Sequence, residues 1–179
     1  MDRDGEQYRR FLDGDSAAFD KIMESLFFSV VFFTDRIVKD RHAAEDIAMD
    51  VFADLIVHRH RYNFKVSLKT YLMMLARSRG LDYLRRRKLL RFVPLTDAEQ
   101  LPDSMTLEDR VLSDERKRAV HQALHALPEE MGLALYLHYI EGLRYTETAK
   151  VMKKTEKQVD NLLYRGKKEL RQMLGGDWP

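Results

Sequence analysis

Apolar residues recur every three or four positions along nearly the whole chain, and no segment alternates polar and apolar residues for long enough to form a sheet. A period near 3.6 residues is that of an amphipathic helix with one buried face. Eight glycines and four prolines among 179 residues are too few for a collagen-like or low-complexity chain. The sequence therefore predicts an all-α protein.

One segment near the middle interrupts this periodicity. It contains Pro94, Pro102 and several acidic residues, and Thr106 and Asp109 have the spacing of a capping box that restarts a helix. An extended segment of this length spans about 50–60 Å, which would let two domains reach separate sites on one partner. We therefore predict two small helical domains joined by a flexible linker, with a first domain over 1–89, an acidic linker over 90–106 and a second domain over 107–179.

Capping residues, glycines and prolines predict where the helices begin and end. In the first half we predict a short helix that ends at Gly14, a second helix capped by Asp15, a third after Asp40, a turn over 63–66 and a fourth helix from Ser67 to about Lys88. In the second half we predict a helix through Val111, Ala119, Leu124 and Leu127, another from Pro128 to Gly142, a short helix over 145–152 and a long helix over 155–174.

Several functional classes are excluded by composition. The chain has no cysteine, which excludes disulfide scaffolds, cysteine nucleophiles and thiolate metal sites. The longest apolar run, 26–33, contains Ser29 and is far shorter than a membrane span, so we predict neither export nor membrane insertion but a cytoplasmic protein. His42 and Asp46 share a helical face without a third ligand, and no phosphate loop or nucleophile motif is present. We predict no metal, no cofactor and no catalytic site.

Charge is distributed unevenly although the net charge is only +2. Residues 1–90 have 17 basic and 14 acidic side chains, residues 91–114 have 2 and 6, and residues 115–179 have 12 and 9. Two cationic halves around an acidic bridge are typical of two polyanion-binding modules. Ordinary surface solvation would also produce this imbalance, and charge alone does not separate the two interpretations.

The short helix at 145–152, a tight turn at Lys153 and Lys154, and the long helix that follows have the spacing of a helix-turn-helix, whose second helix lies in the DNA major groove. One side of the long helix is apolar, and its other side presents donors for bases or phosphates. These donors are the candidate duplex-binding set: Thr155, Lys157, Gln158, Asn161, Tyr164, Arg165 and Lys168. The alternative is a solvated amphipathic helix of a bundle.

A second basic cluster lies at the end of the fourth predicted helix, where residues 77–91 contain seven cations and one acid, Asp82. Tyr71 and Tyr83 lie on the same helix. Cations interleaved with aromatic rings favour single-stranded nucleic acid, because bases stack on the rings while phosphates attract arginine. Tyr71 lies beside leucines and could equally belong to the core.

Two ordered sets of short segments resemble a known family. The first half contains 14–19 (GDSAAF), 44–47 (AEDI), 50–52 (DVF), 70–72 (TYL), 76–77 (AR) and 82–87 (DYLRRR). The second half contains 127–130 (LPEE), 139–143 (YIEGL), 145–149 (YTETA), 159–161 (VDN) and 164–167 (YRGK). In order and spacing these segments are similar to regions 2 and 4 of the extracytoplasmic function (ECF) group of bacterial RNA polymerase sigma factors, over about residues 6–174.

The resemblance implies a non-catalytic initiation factor that binds core RNA polymerase and directs promoter recognition and DNA melting. It implies that the third helix docks on the clamp helices of the largest polymerase subunit through a candidate polymerase-binding set: Glu45, Asp46, Asp50 and Asp54. It implies that region 2 captures the non-template strand of the minus-ten element through a candidate strand-binding set: Asn63, Lys69, Tyr71, Arg77, Ser78, Asp82, Tyr83, Arg85, Arg86 and Arg87. Region 4 would read the minus-thirty-five element of promoter DNA, and an anti-sigma factor would inhibit the chain.

Two departures from the family pattern affect individual contacts. Ser78 stands where many relatives have asparagine, and Asp160 stands where a basic residue is common.

Two other functions stay open at this point. The chain could be an autonomous helix-turn-helix regulator that binds duplex DNA without polymerase, or its first half could be a protein-interaction bundle with a solvated basic end. A regulator should bind its site alone, whereas a sigma factor should need core enzyme.

Overall fold

The computed structural model describes residues 3–90 and 115–174. Within these ranges the regular structure is helical: α1 (Arg3–Leu12), α2 (Ser16–Val38), α3 (Arg41–Val57), α4 (Leu68–Leu90), α5 (Glu115–Ala126), α6 (Glu129–Leu135), α7 (Tyr145–Met152) and α8 (Glu156–Leu174), with a π-helical turn over Tyr136–Ile140 after α6. The all-α prediction is confirmed. The predicted capping box at Thr106, nearly all of the predicted linker and Val111 lie outside the described residues.

The first four helices form a bundle around a core to which each helix contributes one side. Helix α3 buries Ala44, Ile47, Val51 and Leu55, which recur every three or four residues along one side of the helix. Tyr8 of α1 is fully buried, and its hydroxyl lies 3.0 Å from the carbonyl oxygen of Leu55 and 2.9 Å from that of Arg59. Burial raises the pKa of Tyr8 to about 12. These hydrogen bonds attach α1 to the end of α3.

Local capping explains two of the helix starts. The side chain of Asp40 accepts the backbone N–H of Ala43 at 3.1 Å, and the hydroxyl of Ser67 accepts the backbone N–H of Thr70 at the same distance. Asp15 is the N-cap residue of α2, and helix α2 begins at Ser16 as predicted. The Asp15 carboxylate makes no capping hydrogen bond, however, and forms an ion pair with a guanidinium of α1 at 2.6 Å.

The second half contains the predicted short and long helices, with α7 and α8 at the predicted bounds to within one residue. Pro128 is the residue before α6 and not its first residue, and Gly142, with φ 72°, ends the segment that follows α6. The predictions missed the π-helical turn, in which the N–H of Glu141 donates to the carbonyl of Tyr136 at 3.0 Å. This wider turn brings the Glu141 side chain next to Tyr136.

Glycine permits two close helix contacts in this half. A Cβ atom on Gly132 of α6 would lie 2.5 Å from the carbonyl oxygen of Leu124 in α5. A Cβ atom on Gly166 of α8 would lie 2.7 Å from Leu135 Cδ1. The absence of a side chain at these positions lets α5, α6 and α8 pack closely.

The two halves pack against each other, a placement that the sequence left open. Helix α7 packs on α4, and α6 packs on α2. The guanidinium of Arg36 in α2 lies over the Tyr136 ring, 4.6 Å from its centroid.

None of the helices in the two described segments is long and apolar enough to cross a membrane.

Candidate nucleic-acid and protein interfaces

The candidate duplex-binding set lies on the solvent side of α8. All seven of its side chains are exposed, and Tyr164 is 71% exposed. The opposite side of α8 buries Val159, Leu163 and Leu170, and α8 packs on α6 and α7. The long helix therefore presents a continuous row of hydrogen-bond donors to solvent while its apolar side holds it to the domain.

The start of α8 is held in a defined conformation. The N–H of Gln158 donates to Thr155 Oγ1 at 3.2 Å, and the N–H of Thr155 donates to Gln158 Oε1 at 2.9 Å. The preceding turn passes through Lys153, whose φ of 53° is left-handed. The cap occupies the side-chain oxygen of Gln158 and leaves its NH₂ group available for a base edge. The predicted helix-turn-helix is thus present with a well-ordered N-terminal turn.

The candidate strand-binding set divides into two groups along α4. The first group is Asn63, Lys69 and Tyr71, and the second is Arg77, Ser78, Asp82, Tyr83, Arg85, Arg86 and Arg87. At 1.5 Å per residue, Lys69 and Arg87 are roughly 27 Å apart along the helix. In the first group, the Tyr71 ring is half-buried and lies 5.1 Å from the Tyr62 ring, so this tyrosine contributes to the core. Burial raises the pKa of Tyr71.

Part of the second group is held by carboxylates of the same domain. The Tyr83 hydroxyl donates to Asp40 Oδ2 at 3.2 Å, and Arg87 Nη1 lies 3.8 Å from the same oxygen. Burial and the Asp40 charge raise the pKa of Tyr83. Arg85 forms an ion pair with Asp82. Arg87 and Tyr83 therefore brace the start of α3 in addition to any contact they make with nucleic acid.

The remaining cations at the end of α4 are available to solvent. Arg85, Arg86 and Lys88 are exposed, and Arg77 is half-buried. Among the residues that the structure describes, neither Arg77, Arg86 nor Lys88 forms an ion pair. These side chains form the part of the basic cluster that can attract phosphates.

The candidate polymerase-binding set also contains both exposed acids and acids held in ion pairs. Asp46 is exposed, Asp50 has 69% of its side chain exposed, and Glu45 forms an ion pair with Arg41 at 3.1 Å. The Asp54 side chain is only 11% exposed, and its Oδ1 lies 3.1 Å from an Arg79 guanidinium nitrogen. The surface of α3 therefore offers Asp46, Asp50 and Glu45, although Asp50 Oδ2 also lies 3.8 Å from Arg79 Nη1. The nearly buried Asp54 joins α3 to α4. Within the described residues, no three potential ligands are placed to hold a metal ion.

Two carboxylates of the second half contact α4, and the sequence interpretation missed both. Glu141 Oε2 lies 3.0 Å from Lys69 Nζ, and Glu147 Oε1 accepts a hydrogen bond from Thr70 Oγ1 at 3.1 Å. Burial raises the pKa of Glu147, but hydrogen bonds from Arg144, Thr70 and Ser67 together outweigh burial and hold it below the ordinary carboxyl value. Both acids lie in segments that resemble the family, but nothing in their spacing indicates a partner in the other half.

A helical bundle joined to a helix-turn-helix, with donors exposed on the second helix and cations exposed on the bundle, defines a two-module nucleic-acid-binding protein. Residues 29–89 match the family model described as Sigma-70 region 2, and residues 117–170 match that described as Sigma-70, region 4. The chain belongs to the ECF group of RNA polymerase sigma factors. It is therefore a non-catalytic factor that directs promoter recognition by RNA polymerase.

Curated relatives match over most of the chain. The ECF RNA polymerase sigma factor SigX of Bacillus subtilis is 28% identical over 142 residues, which cover 76% of this chain and 73% of that protein. The RNA polymerase sigma-H factor of Pseudomonas aeruginosa is 28% identical over 185 residues, which cover 97% and 95%.

Solved structures share the fold. The sigma factor RpoE, in complex with the anti-sigma factor NepR from Bartonella quintana, matches with a TM-score of 0.66 at 15% identity and covers 89% of this chain and 98% of that chain. CnrH, in complex with the cytosolic domain of CnrY, matches with a TM-score of 0.66 at 16% identity and covers 99% and 100%. At these identities the likeness extends to the fold alone.

Proposed function

We propose that the chain contacts promoter DNA at two places while core polymerase holds its first domain. The observation that carries this proposal is that all seven side chains of the candidate duplex-binding set are exposed on α8, opposite a buried apolar side. A helix with this division can enter the major groove and place Gln158, Asn161 and Arg165 against base edges. In this proposal α8 reads the minus-thirty-five element.

The minus-ten contact is assigned to region 2. Lys69 and the turn at Asn63 would hold one part of the non-template strand, and the exposed cations near the end of α4 would attract its phosphates. Strand separation needs no hydrolysis, because capture of unstacked bases offsets the few kcal/mol that unpairing costs. The internal contacts of Arg87 and Tyr83 with Asp40 assign these two residues a positioning role.

Core polymerase is proposed to bind α3 through its exposed acids. Asp46 and Asp50 lie on the surface of that helix, and Glu45 lies beside them. Asp54 would act indirectly, because its ion pair with Arg79 holds α3 to α4 and its ion pair with Arg61 holds α3 to the following turn. The clamp helices of the largest subunit are the proposed partner.

The proposal includes a division of the chain into a first domain over 1–89, a linker over 90–106 and a second domain over 107–179.

Two solved neighbours are bound to other proteins, in one case the anti-sigma factor NepR and in the other the cytosolic domain of CnrY. We propose that a protein inhibitor of the anti-sigma type also binds this chain, and that the chain acts in the cytoplasm, where the polymerase is.

The phosphate contacts of region 2 can be tested by salt dependence. Replacement of Arg85, Arg86 and Lys88 by glutamine should weaken formation of the promoter complex with core enzyme. The slope of log K against log salt should become shallower by about 0.7–0.9 for each phosphate that the variant no longer neutralises. Filter binding between 50 and 300 mM salt, roughly the range in which such slopes are resolved, measures this change.

A matched control removes the same charge elsewhere. Arg3, Lys21 and Lys39 are exposed on the first domain and lie outside α4, so their replacement by glutamine should leave the slope at its wild-type value. Equal slopes for the two triple variants would show that the α4 cations make no phosphate contacts.

A further inference from the structure

Asp160 is an acidic side chain on the side of α8 that is proposed to enter DNA. It is exposed, and it lies one helical turn from Lys157 and one turn from Tyr164, both members of the candidate duplex-binding set. It is the fifth residue of α8, and the N-terminal residues of such a helix contact base edges. The proposed contact therefore brings a carboxylate into a groove that is lined by phosphates.

The Asp160 carboxylate has no partner within the described part of the chain. Across residues 3–90 and 115–174 it forms no ion pair and accepts no hydrogen bond, although Lys157 is its neighbour on the helix surface. By contrast, the Glu130 carboxylate of the same domain lies 2.7 Å from Lys154 Nζ. Both oxygens of Asp160 are thus available to accept hydrogen bonds from a ligand.

Local stability does not account for an aspartate at this position. Aspartate is among the poorer helix formers, because its short side chain competes for backbone hydrogen bonds. The helix dipole favours acids only within the first turn, where Glu156 lies, and Asp160 lies beyond that turn. The side chain is also outside the apolar side that holds α8 to the domain. A role in binding explains the residue where helix stability does not.

Charge makes this carboxylate unfavourable beside DNA unless it finds a donor. Phosphates repel it, whereas a lysine or arginine at the same point would neutralise a phosphate. In the major groove the base edges present two kinds of donor, the amino groups of cytosine and adenine, while guanine and thymine present acceptors. An acid at this position therefore favours some bases and rejects others.

Cytosine fits the surroundings of Asp160 better than adenine does. The adenine amino group lies beside the N7 acceptor, which would face the second carboxylate oxygen, whereas cytosine presents its amino group without a neighbouring acceptor. The partner of cytosine is guanine, whose O6 and N7 accept hydrogen bonds. Lys157 places a donor beside the Asp160 acceptor on the helix surface, so the two side chains together are complementary to a G·C base pair.

We propose that Asp160 is a specificity-determining residue that accepts a hydrogen bond from a cytosine amino group in the minus-thirty-five element. The inference rests on the proposed role of α8 in reading that element. Asp160 discriminates in two ways, because it binds a base that offers a donor and because it repels the phosphates of DNA that offers none. Sequence-independent binding is thereby weakened relative to promoter binding.

The test uses the full chain in complex with core polymerase and a promoter fragment selected by the wild-type holoenzyme. Each base pair of the upstream element is replaced in turn by the other three, and competition binding gives the relative affinity for every version. At one position the wild type should prefer cytosine over guanine or thymine by about fivefold or more, the lower end of the discrimination that one good base contact gives.

Two variants identify the position that Asp160 reads. Asp160→Ala should abolish the cytosine preference there and leave the preferences at other positions unchanged. Asp160→Asn should shift the preference toward adenine, because an amide pairs with the N6 and N7 groups of that base. Both variants should bind a non-promoter duplex more tightly than the wild type does, since a charge that phosphates repel has been removed.

Glu129→Gln is the matched control for loss of a negative charge. Glu129 is exposed at the start of α6, outside the candidate duplex-binding set. This variant should keep every base preference at its wild-type value. The proposal is overturned if Asp160→Ala changes no base preference or weakens all of them by the same factor, and also if Glu129→Gln abolishes the same cytosine preference.

Failure of this inference is distinguishable from failure of the proposed function. If Asn161→Ala combined with Arg165→Ala alters base preferences in the element but Asp160→Ala alters none, only the role of Asp160 is wrong. If none of these variants alters a base preference, α8 does not read the element, and the proposed function is overturned together with this inference.

Discussion

Replacement of Asn161 and Arg165 together by alanine is expected to reduce promoter-directed transcription at least about 25-fold, because a base contact contributes about 1–3 kcal/mol and the variant would remove the two that we propose. Both side chains are exposed on α8, so their removal leaves the buried side of the helix intact. Affinity for core polymerase should stay at the wild-type value. Run-off transcription on a fragment selected by the wild-type holoenzyme, with core binding measured in parallel, tests this expectation.

A control on the same helix separates base reading from general surface change. Arg171 and Met173 are exposed near the C-terminal end of α8, outside the candidate duplex-binding set. Their double alanine variant should transcribe within about twofold of wild type, since exposed substitutions away from special features have effects within roughly 0.5 kcal/mol. Equal reductions in the two double variants would exclude α8 as the sequence-reading helix.

The largest decrease in stability is expected for Gly132→Ala. The new Cβ atom would lie 2.5 Å from the backbone oxygen of Leu124, which cannot move without shifting α5 against α6. Overpacking of this kind costs about 1–3 kcal/mol or more, and in a chain of this size 2 kcal/mol corresponds to a Tm lowered by roughly 4–8 °C. Thermal unfolding followed by circular dichroism gives the change.

Gly80→Ala is the matched control for that substitution. Gly80 is also a buried helical glycine, but its added Cβ would first meet the side-chain atom Ile37 Cγ2, at 3.3 Å. A side chain can shift by a few tenths of an ångström, and alanine gains about 1 kcal/mol of helix propensity over glycine. The variant should therefore lie within about 1 kcal/mol of wild type. A Gly132→Ala protein as stable as Gly80→Ala would refute the backbone contact.

Helix positions were predictable because local signals agreed with the global fold. The caps at Asp40 and Ser67 and the box of Thr155 with Gln158 satisfy backbone donors within their own helix, so spacing alone locates them. The exposed side of α8 was predictable for the same reason, since a 3.6-residue period separates buried from solvent positions.

Contacts that a side chain makes outside its own helix were not predictable from spacing. The Asp15 carboxylate pairs with a side chain of the preceding helix instead of the free N–H groups of α2. Asp50 and Asp54 are one helical turn apart on α3 and both lie near Arg79 of α4, yet packing of the two helices buries Asp54 and leaves Asp50 mostly exposed. The pairing of Glu141 with Lys69 joins residues from two different domains. Such pairings depend on how the helices are packed.

The most direct test of the central claim compares DNA binding with and without core polymerase. The purified chain should bind core enzyme, and the complex should produce run-off transcripts of defined length from a subset of genomic fragments, whereas the chain alone should give no sequence-specific footprint on the same duplexes. A chain that does not bind core enzyme, or one that footprints the duplex equally well on its own, would contradict the account.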